Sequence, residues 1–342
     1  MYGVDMRIFL IQALVVLAKA STSLVPGAVV KCRDSSFEIR NLLGKGRNSV
    51  VFRALAADGL EVAVKAREDG TDAEGQLSRE AEVLTALDAS EGFPRIVCAT
   101  ESFIVMELLS GFQSLDRFEN PERVPQSFPA IAIQLIRRLE RVHAAGFVHV
   151  DLHKRNIMLT EDRVALIDFG LATRINEHKN PQYVNLFLSS GFEQAHQPLH
   201  PLDDIERLMY VLLHVGFGPL PWAAMMRMRE AMNEENQTKD IAAVALLLEQ
   251  RILQLKLEFP ADNAFFDRAS NPIPAGFRET LNYVATMRPM RESASFVIDY
   301  DLLRSLFRPA ASTLLPVDAA VVETTRPMDQ PSLLPIRTDH NL

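Results

Sequence analysis

An aspartate at 151, an asparagine at 156 and a second aspartate at 168 stand in Val148-His149-Val150-Asp151-Leu152-His153-Lys154-Arg155-Asn156 and Leu166-Ile167-Asp168-Phe169-Gly170. Their types and order suit phosphoryl transfer from ATP. That reaction needs one carboxylate to accept the proton of the acceptor hydroxyl, and an amide oxygen with another carboxylate to hold the Mg²⁺ ions that neutralise the phosphates. Asp151 fits the first role, Asn156 and Asp168 the metal-binding roles. A short strand-turn-strand between 156 and 168 is expected to set their separation.

The elements that must position this set lie upstream. Leu43-Gly44-Lys45-Gly46-Arg47-Asn48-Ser49-Val50-Val51 reads as a turn between two strands, where Gly44 and Gly46 would let the backbone approach phosphates with no Cβ in the way. Taken alone, it reads first as the turn of an ordinary hairpin, because glycine pairs are primarily turn signals. Glu61-Val62-Ala63-Val64-Lys65 alternates like a strand and sets one Lys beside a small Ala. A buried Lys needs a counter-charge. Glu80 shares the i, i+3, i+4, i+7 face of a helix with Val83, Leu84 and Leu87; Glu82 competes, but that periodicity turns it away. Ile104-Val105-Met106-Glu107-Leu108-Leu109 is an apolar strand running into a connector.

In this order and spacing the motifs resemble those of eukaryotic protein kinases over residues 36–308. The resemblance implies an α+β bilobal fold, with a β-rich N-lobe and one main helix over 36–106 and a larger, mostly helical C-lobe over 110–308. It implies ATP and Mg²⁺ as cofactors and a protein substrate. Asp151, Lys65, Glu80 and His153 become the catalytic set, with Asn156 and Asp168 as metal ligands. Lys65 would contact the α and β phosphates, and the ATP site would comprise Leu43, Gly44, Gly46, Ser49, Val51, Ala63, Lys65, Met106, Glu107, Leu109 and Met158. Within it, Val51 and Ala63 cover one adenine face, Met158 covers the other, and Met106 is the gatekeeper.

Asp203-Asp204-Ile205-Glu206-Arg207, Gly218-Pro219-Leu220-Pro221-Trp222, Ile273-Pro274-Ala275-Gly276-Phe277 and Asp299-Tyr300-Asp301-Leu302-Leu303 further resemble the casein kinase 1 group. Asp204 is then expected to bond the backbone of the catalytic loop. Val150 stands where most protein kinases carry the Arg that receives an activation-loop phosphate, so activation by loop phosphorylation is not expected. Thr173, Tyr183, Ser189 and Ser190 are the loop hydroxyls open to modification. His153 replaces a Lys that touches the γ-phosphate, and a phosphate-facing imidazole would make the rate pH-sensitive near neutrality. Pro201-Leu202 replace the Arg pair with which that group recognises acidic or phosphorylated substrates. The sequence reads as a serine/threonine protein kinase. A pseudokinase scaffold and a small-molecule kinase of aminoglycoside or choline type, suggested by Asp151-Leu152-His153, are the alternatives.

With 48% apolar residues over 342 and a net charge of −8, the chain supports a large core and has no basic footprint for nucleic acid. Arg7, the apolar run Ile8 to Ala18 and Ala18-Lys19-Ala20 are the marks of a secretory signal peptide over 1–20, too short to span a bilayer comfortably. An uncleaved anchor or a misassigned start are the alternatives. The expectation is a secreted or secretory-pathway protein without stable membrane insertion once cleaved. Residues 21–35 read as a leader, which a Cys32–Cys98 bond could tether to the small lobe in an oxidising compartment. Asn236-Gln237-Thr238 is a glycosylation sequon. Ile241 to Leu248 reads as C-lobe helix packing, and the proline-punctuated 309–342 as a disordered tail. Nothing in the sequence indicates an oligomeric state.

Overall fold

Val62 and Val64 alternate with Ala63 and Lys65 along a strand buried on both faces, and that double burial organises the smaller lobe. The computed structural model describes residues 24–68, 75–87, 90–117, 124–179, 184–234, 239–267, 272–293 and 296–308. Within them, β1 (Val29–Cys32), β2 (Ser35–Lys45), β3 (Ser49–Ala56), β4 (Glu61–Arg67), β5 (Ile96–Ala99) and β6 (Phe103–Glu107) form one antiparallel sheet in the order β1-β2-β3-β4-β6-β5. Phe37, Ile39, Phe52, Val62, Val64 and Val105 fill its outer face. The register sets Val51 opposite Lys65 and Ala63 opposite Met106, so these four share the face turned to the interlobe cleft. Helix α1 (Gln76–Ala86) covers that face with Leu77, Glu80, Val83 and Leu84 buried, the expected helical stripe.

The lobe begins earlier than the sequence reading placed it. Val30 and Cys32 alternate inward and β1 pairs with β2, so part of the expected 21–35 leader is the first strand of the sheet. β1 and β5 are its two edges, and the Cys32–Cys98 disulfide joins them across 66 residues with Cα atoms 6.4 Å apart. The sheet is curled until its edges meet. Reduction, or paired Cys→Ser substitution, is expected to cost about 2–4 kcal/mol, read as a lower unfolding midpoint by calorimetry or denaturant titration. A midpoint indifferent to reductant would show that the edges hold without the bond.

The larger lobe is built on α2 (Val124–Ala144), α3 (Gly191–Gln194), α4 (Pro201–Phe217), α5 (Ala223–Glu234), α6 (Lys239–Glu258), α7 (Asn263–Phe266), α8 (Ala275–Met287) and α9 (Tyr300–Ser305). Between α2 and α3 run β8 (Phe147–Val148), β9 (Ile157–Leu159), β10 (Val164–Leu166) and β11 (Thr173–Arg174), with β7 (Gln113–Ser114) added to β9. α4 is buried from Pro201 to Leu213 and packs on α2 and α8, which makes it the axis of the lobe. His200 caps it: Nδ1 accepts from Leu202 N at 3.2 Å, and Asp203 closes the box on His200 N at 2.7 Å. Burial pushes the His200 pKa down to about 4, which keeps the ring neutral and able to accept.

The α+β bilobal expectation is met. The packing of Ile241 to Leu248 is not: Ile252 and Lys256 anchor α6, whereas Val244, Leu246 and Leu247 are exposed. α6 meets α5, α3 and the turn Phe259–Ala261, while residues 242–244, 246 and 247 of its first half stay exposed. No described helix is long and apolar enough to cross a membrane. The expected signal peptide, the sequon, Tyr183 and the tail lie outside the described residues.

Candidate active site

The β2–β3 turn leaves open space over the cleft. A Cβ on Gly44 would meet no atom within 4 Å, and one on Gly46 would meet only Ser49, at ordinary contact distance. No protein neighbour therefore demands glycine at either position, and the room is available to a ligand. Leu43 and half-buried Ser49 flank the turn, with Val51 half-buried and Ala63 and Met106 buried beneath it. Met158 rises from β9 on the other lobe, opposite Ala165. In the connector, Leu109 is half-buried, while the Glu107 N–H donates to Arg95 O at 2.8 Å. That leaves Glu107 no N–H for an adenine edge.

Lys65 bridges the lobes. Its Nζ lies 2.6 Å from Glu80 Oε2 and 2.7 Å from Asp168 Oδ1. Burial opposes the charge, but the two carboxylates outweigh it and raise the Lys65 pKa above the usual lysine range. Glu82, the competitor, is on the outside of α1, paired with Arg79 and Arg174.

The loop carrying Asp151 is held from below. Asp204 accepts from His149 N at 2.6 Å and Val150 N at 2.9 Å, the bonds to the loop backbone that the resemblance implied. His143 Nε2 bonds Asp204 Oδ2 at 2.9 Å, and its Nδ1 is 2.5 Å from Tyr300 Oη. The His149 ring packs at a tilt of 47° against Phe169, with centroids 4.7 Å apart. Val150 takes φ 66°, a costly conformation for a β-branched residue, on the order of 1–3 kcal/mol. Asp204 holds its N–H, and Val148, Leu199 and Ile175 pack its side chain. Where an Arg would await a phosphate, the structure places an apolar plug.

Asn156 Nδ2 donates to Asp151 O at 2.9 Å and points to Asp151 Oδ2 at 3.4 Å, which leaves Asn156 Oδ1 as the acceptor. Sequence reading aimed His153 at the phosphate, whereas its Nε2 lies 3.6 Å from Asp151 Oδ2. His153 Nδ1 accepts from Arg155 N at 3.2 Å, so the ring proton is on Nε2, toward Asp151. Burial pushes the Asp151 carboxyl up, but His153 beside it, with Arg207 and Lys179, holds it well below the usual carboxylate range.

Sequence reasoning missed the groups that anchor the activation segment. Buried Lys179 donates to Glu193 Oε1 at 2.9 Å and to Val150 O at 3.4 Å, and Glu193 also pairs with buried Arg207. Lys256 Nζ holds Leu186 O at 2.6 Å and Ser189 O at 2.8 Å, and Trp222 Nε1 holds Phe187 O at 2.8 Å. For Lys256 the only signal was its spacing, four after Ile252 and three before Phe259 on one helical face. Ser189 and Ser190, expected as modifiable hydroxyls, are buried; Ser190 Oγ donates to Asp203 and accepts from Glu193 N as the cap of α3.

The metal-binding expectation fits the donors present. Asn156 Oδ1 and the Asp168 carboxylate are hard oxygen ligands, as Mg²⁺ prefers when waters and substrate phosphates complete its shell. Among the described residues no cluster of three or more His, Cys, Asp or Glu would hold a metal alone.

A β-rich lobe and a helical lobe enclosing a Lys-Glu pair, a loop Asp with its Asn, and a second Asp after a hairpin make up the bilobal kinase fold. Residues 37–193 match the family model of the protein kinase domain.

Proposed function

We propose that this kinase transfers the γ-phosphoryl group of ATP to Ser or Thr of protein substrates, that it is casein kinase 1-like, and that it acts after entering the secretory pathway. The observation that carries the transfer reading is the assembled site: Lys65 between Glu80 and Asp168, above a loop that Asp204 fixes from beneath. In this reading Asp151 is ionised and accepts the proton of the hydroxyl. Lys65 binds the α and β phosphates, Glu80 orients Lys65, and Val51, Ala63, Met106 and Met158 enclose the adenine. Asn156 and Asp168 would hold Mg²⁺, which when bound neutralises the phosphates.

Ser/Thr preference is supported by His153 two residues after Asp151, where serine/threonine kinases carry a Lys, and by Lys154 next along. The casein kinase 1 likeness rests on Asp204, the Gly218–Trp222 loop and the motifs that form α8 and α9. Export is supported by the signal-like residues 1–20 and by the buried Cys32–Cys98 bond, which an oxidising compartment preserves.

The test is transfer by purified residues 21–342 with labelled ATP, Mg²⁺ and generic protein acceptors, beside Asp151→Asn. Phosphoserine or phosphothreonine that disappears in the variant is expected. Phosphotyrosine alone would overturn the acceptor class, and absence of transfer would overturn the activity.

A further inference from the structure

Tyr300 opens α9, far outside the residues 37–193 matched to the family model, and its hydroxyl lies against the support of the catalytic loop. We propose that Tyr300 is a positioning residue for phosphoryl transfer: through His143 it fixes the aim of the Asp204 carboxylate, and with it the backbone that presents Asp151. This rests on the proposed transfer reaction.

The hydrogen bonds form one chain. Buried Asp204 accepts from three N–H groups: Oδ1 from Val150 N at 2.9 Å, and Oδ2 from His149 N at 2.6 Å and His143 Nε2 at 2.9 Å. Burial opposes its charge, but His143 and the Val150 amide hold its carboxyl below the usual range, so it only accepts. The proton between Nε2 and Oδ2 therefore belongs to the imidazole. Nδ1 then accepts from the Tyr300 hydroxyl 2.5 Å away, which keeps its proton because burial and the Asp204 charge raise its pKa. The bond made at one ring nitrogen sets the tautomer at the other. Without the hydroxyl, a ring protonated on Nδ1 would turn a bare nitrogen toward the carboxylate and leave it free to rotate.

Both ends of this chain are anchored. At the far end, Asp299 Oδ1 caps α9 by accepting from Leu302 N at 2.8 Å, and Asp299 N donates to Tyr283 Oη at 3.0 Å. Arg304 pairs with Glu140 of α2, the helix that carries His143, and Leu303 is buried, so the Tyr300 hydroxyl is set before any substrate arrives. At the near end, the same carboxylate holds Val150 at φ 66°, a strained conformation that persists only while its surroundings enforce it. Asp151 is the next residue, and its N–H donates to His149 O at 2.8 Å. A loosened grip by Asp204 therefore reaches the position of the Asp151 carboxylate and leaves the ATP-binding residues where they are.

The experiment compares Tyr300→Phe with Tyr283→Phe, which removes the neighbouring hydroxyl at the same helix start without touching the chain to Asp204. Assays are run well below each unfolding midpoint, so that loss of folded protein does not count as loss of rate. Tyr300→Phe is expected to lower kcat roughly tenfold with the KM for ATP within about twofold, whereas Tyr283→Phe should leave both within about twofold. In a His143→Gln background, removing the Tyr300 hydroxyl should cost no further activity, because the two side chains act in series. Hydrogen exchange at the His149 and Val150 amides needs neither ATP nor acceptor, and it should quicken roughly tenfold in Tyr300→Phe alone. An unchanged kcat in Tyr300→Phe, an equal loss in Tyr283→Phe, or additive losses in the double variant would overturn the inference. If the wild-type chain transfers no phosphate, the transfer reading fails and exchange decides separately. Faster amides in Tyr300→Phe then uphold the hold of Tyr300 on the loop, and unaltered amides remove it.

Discussion

Replacing Lys65 by Met is expected to lower phosphoryl transfer by about 10²- to 10³-fold and leave a folded protein. The ammonium lies between two carboxylates, at 2.6 and 2.7 Å, in a buried slot. Methionine fills a similar length of that slot without charge, so the α and β phosphates lose their fixed cation and Glu80 loses its partner. Folding survives because Glu80, whose pKa burial already raises, can take up a proton. Single-turnover transfer measured beside the thermal unfolding midpoint separates the two effects. Undiminished turnover would mean that another residue supplies the charge.

Glu193→Gln is expected to cost about 3–5 kcal/mol of stability and to depress transfer with it. The substitution keeps the shape but removes the carboxylate shared by Lys179 and Arg207, both buried, and leaves two cations facing each other. Lys179 also holds Val150 O, one residue from Asp151, so the disturbance reaches the catalytic loop. This internal carboxylate does for the activation segment what an added phosphate does where an Arg precedes the catalytic Asp. Denaturant unfolding and steady-state transfer on the same preparation provide the check. Unchanged stability in the Gln variant would refute the buried network as the anchor.

The candidate site residues stand out in the sequence because their spacing is local. Asp151 and Asn156 share one loop, Asp168 follows a short hairpin, and Glu80 shows itself by falling on an apolar helical stripe. The same rules misplaced two segments. Alternation in Val29–Cys32 was too short to separate a strand from a leader until pairing with β2 gave it a partner. Ile241 to Leu248 is apolar on every side, so its sequence carries no phase, and only the neighbours of α6 decide which residues are covered.

The residues missed altogether depend on partners far away along the chain. Lys256 bonds Ser189 across 67 positions, and His143 bonds Tyr300 across 157. The spacing of Lys256 from Ile252 and Phe259 hints at a buried face, but no linear pattern names the partner of either residue. By itself, then, the sequence determined the candidate set and the helix and strand faces that present it, because periodicity and short spacings are properties of neighbours in the chain. The turn of His153 toward Asp151, the plug at Val150 and the carboxylate that binds Lys179 to Arg207 were decided only by tertiary structure. Burial sets the cost of every unpaired charge, and which charges are buried together is fixed when the elements pack.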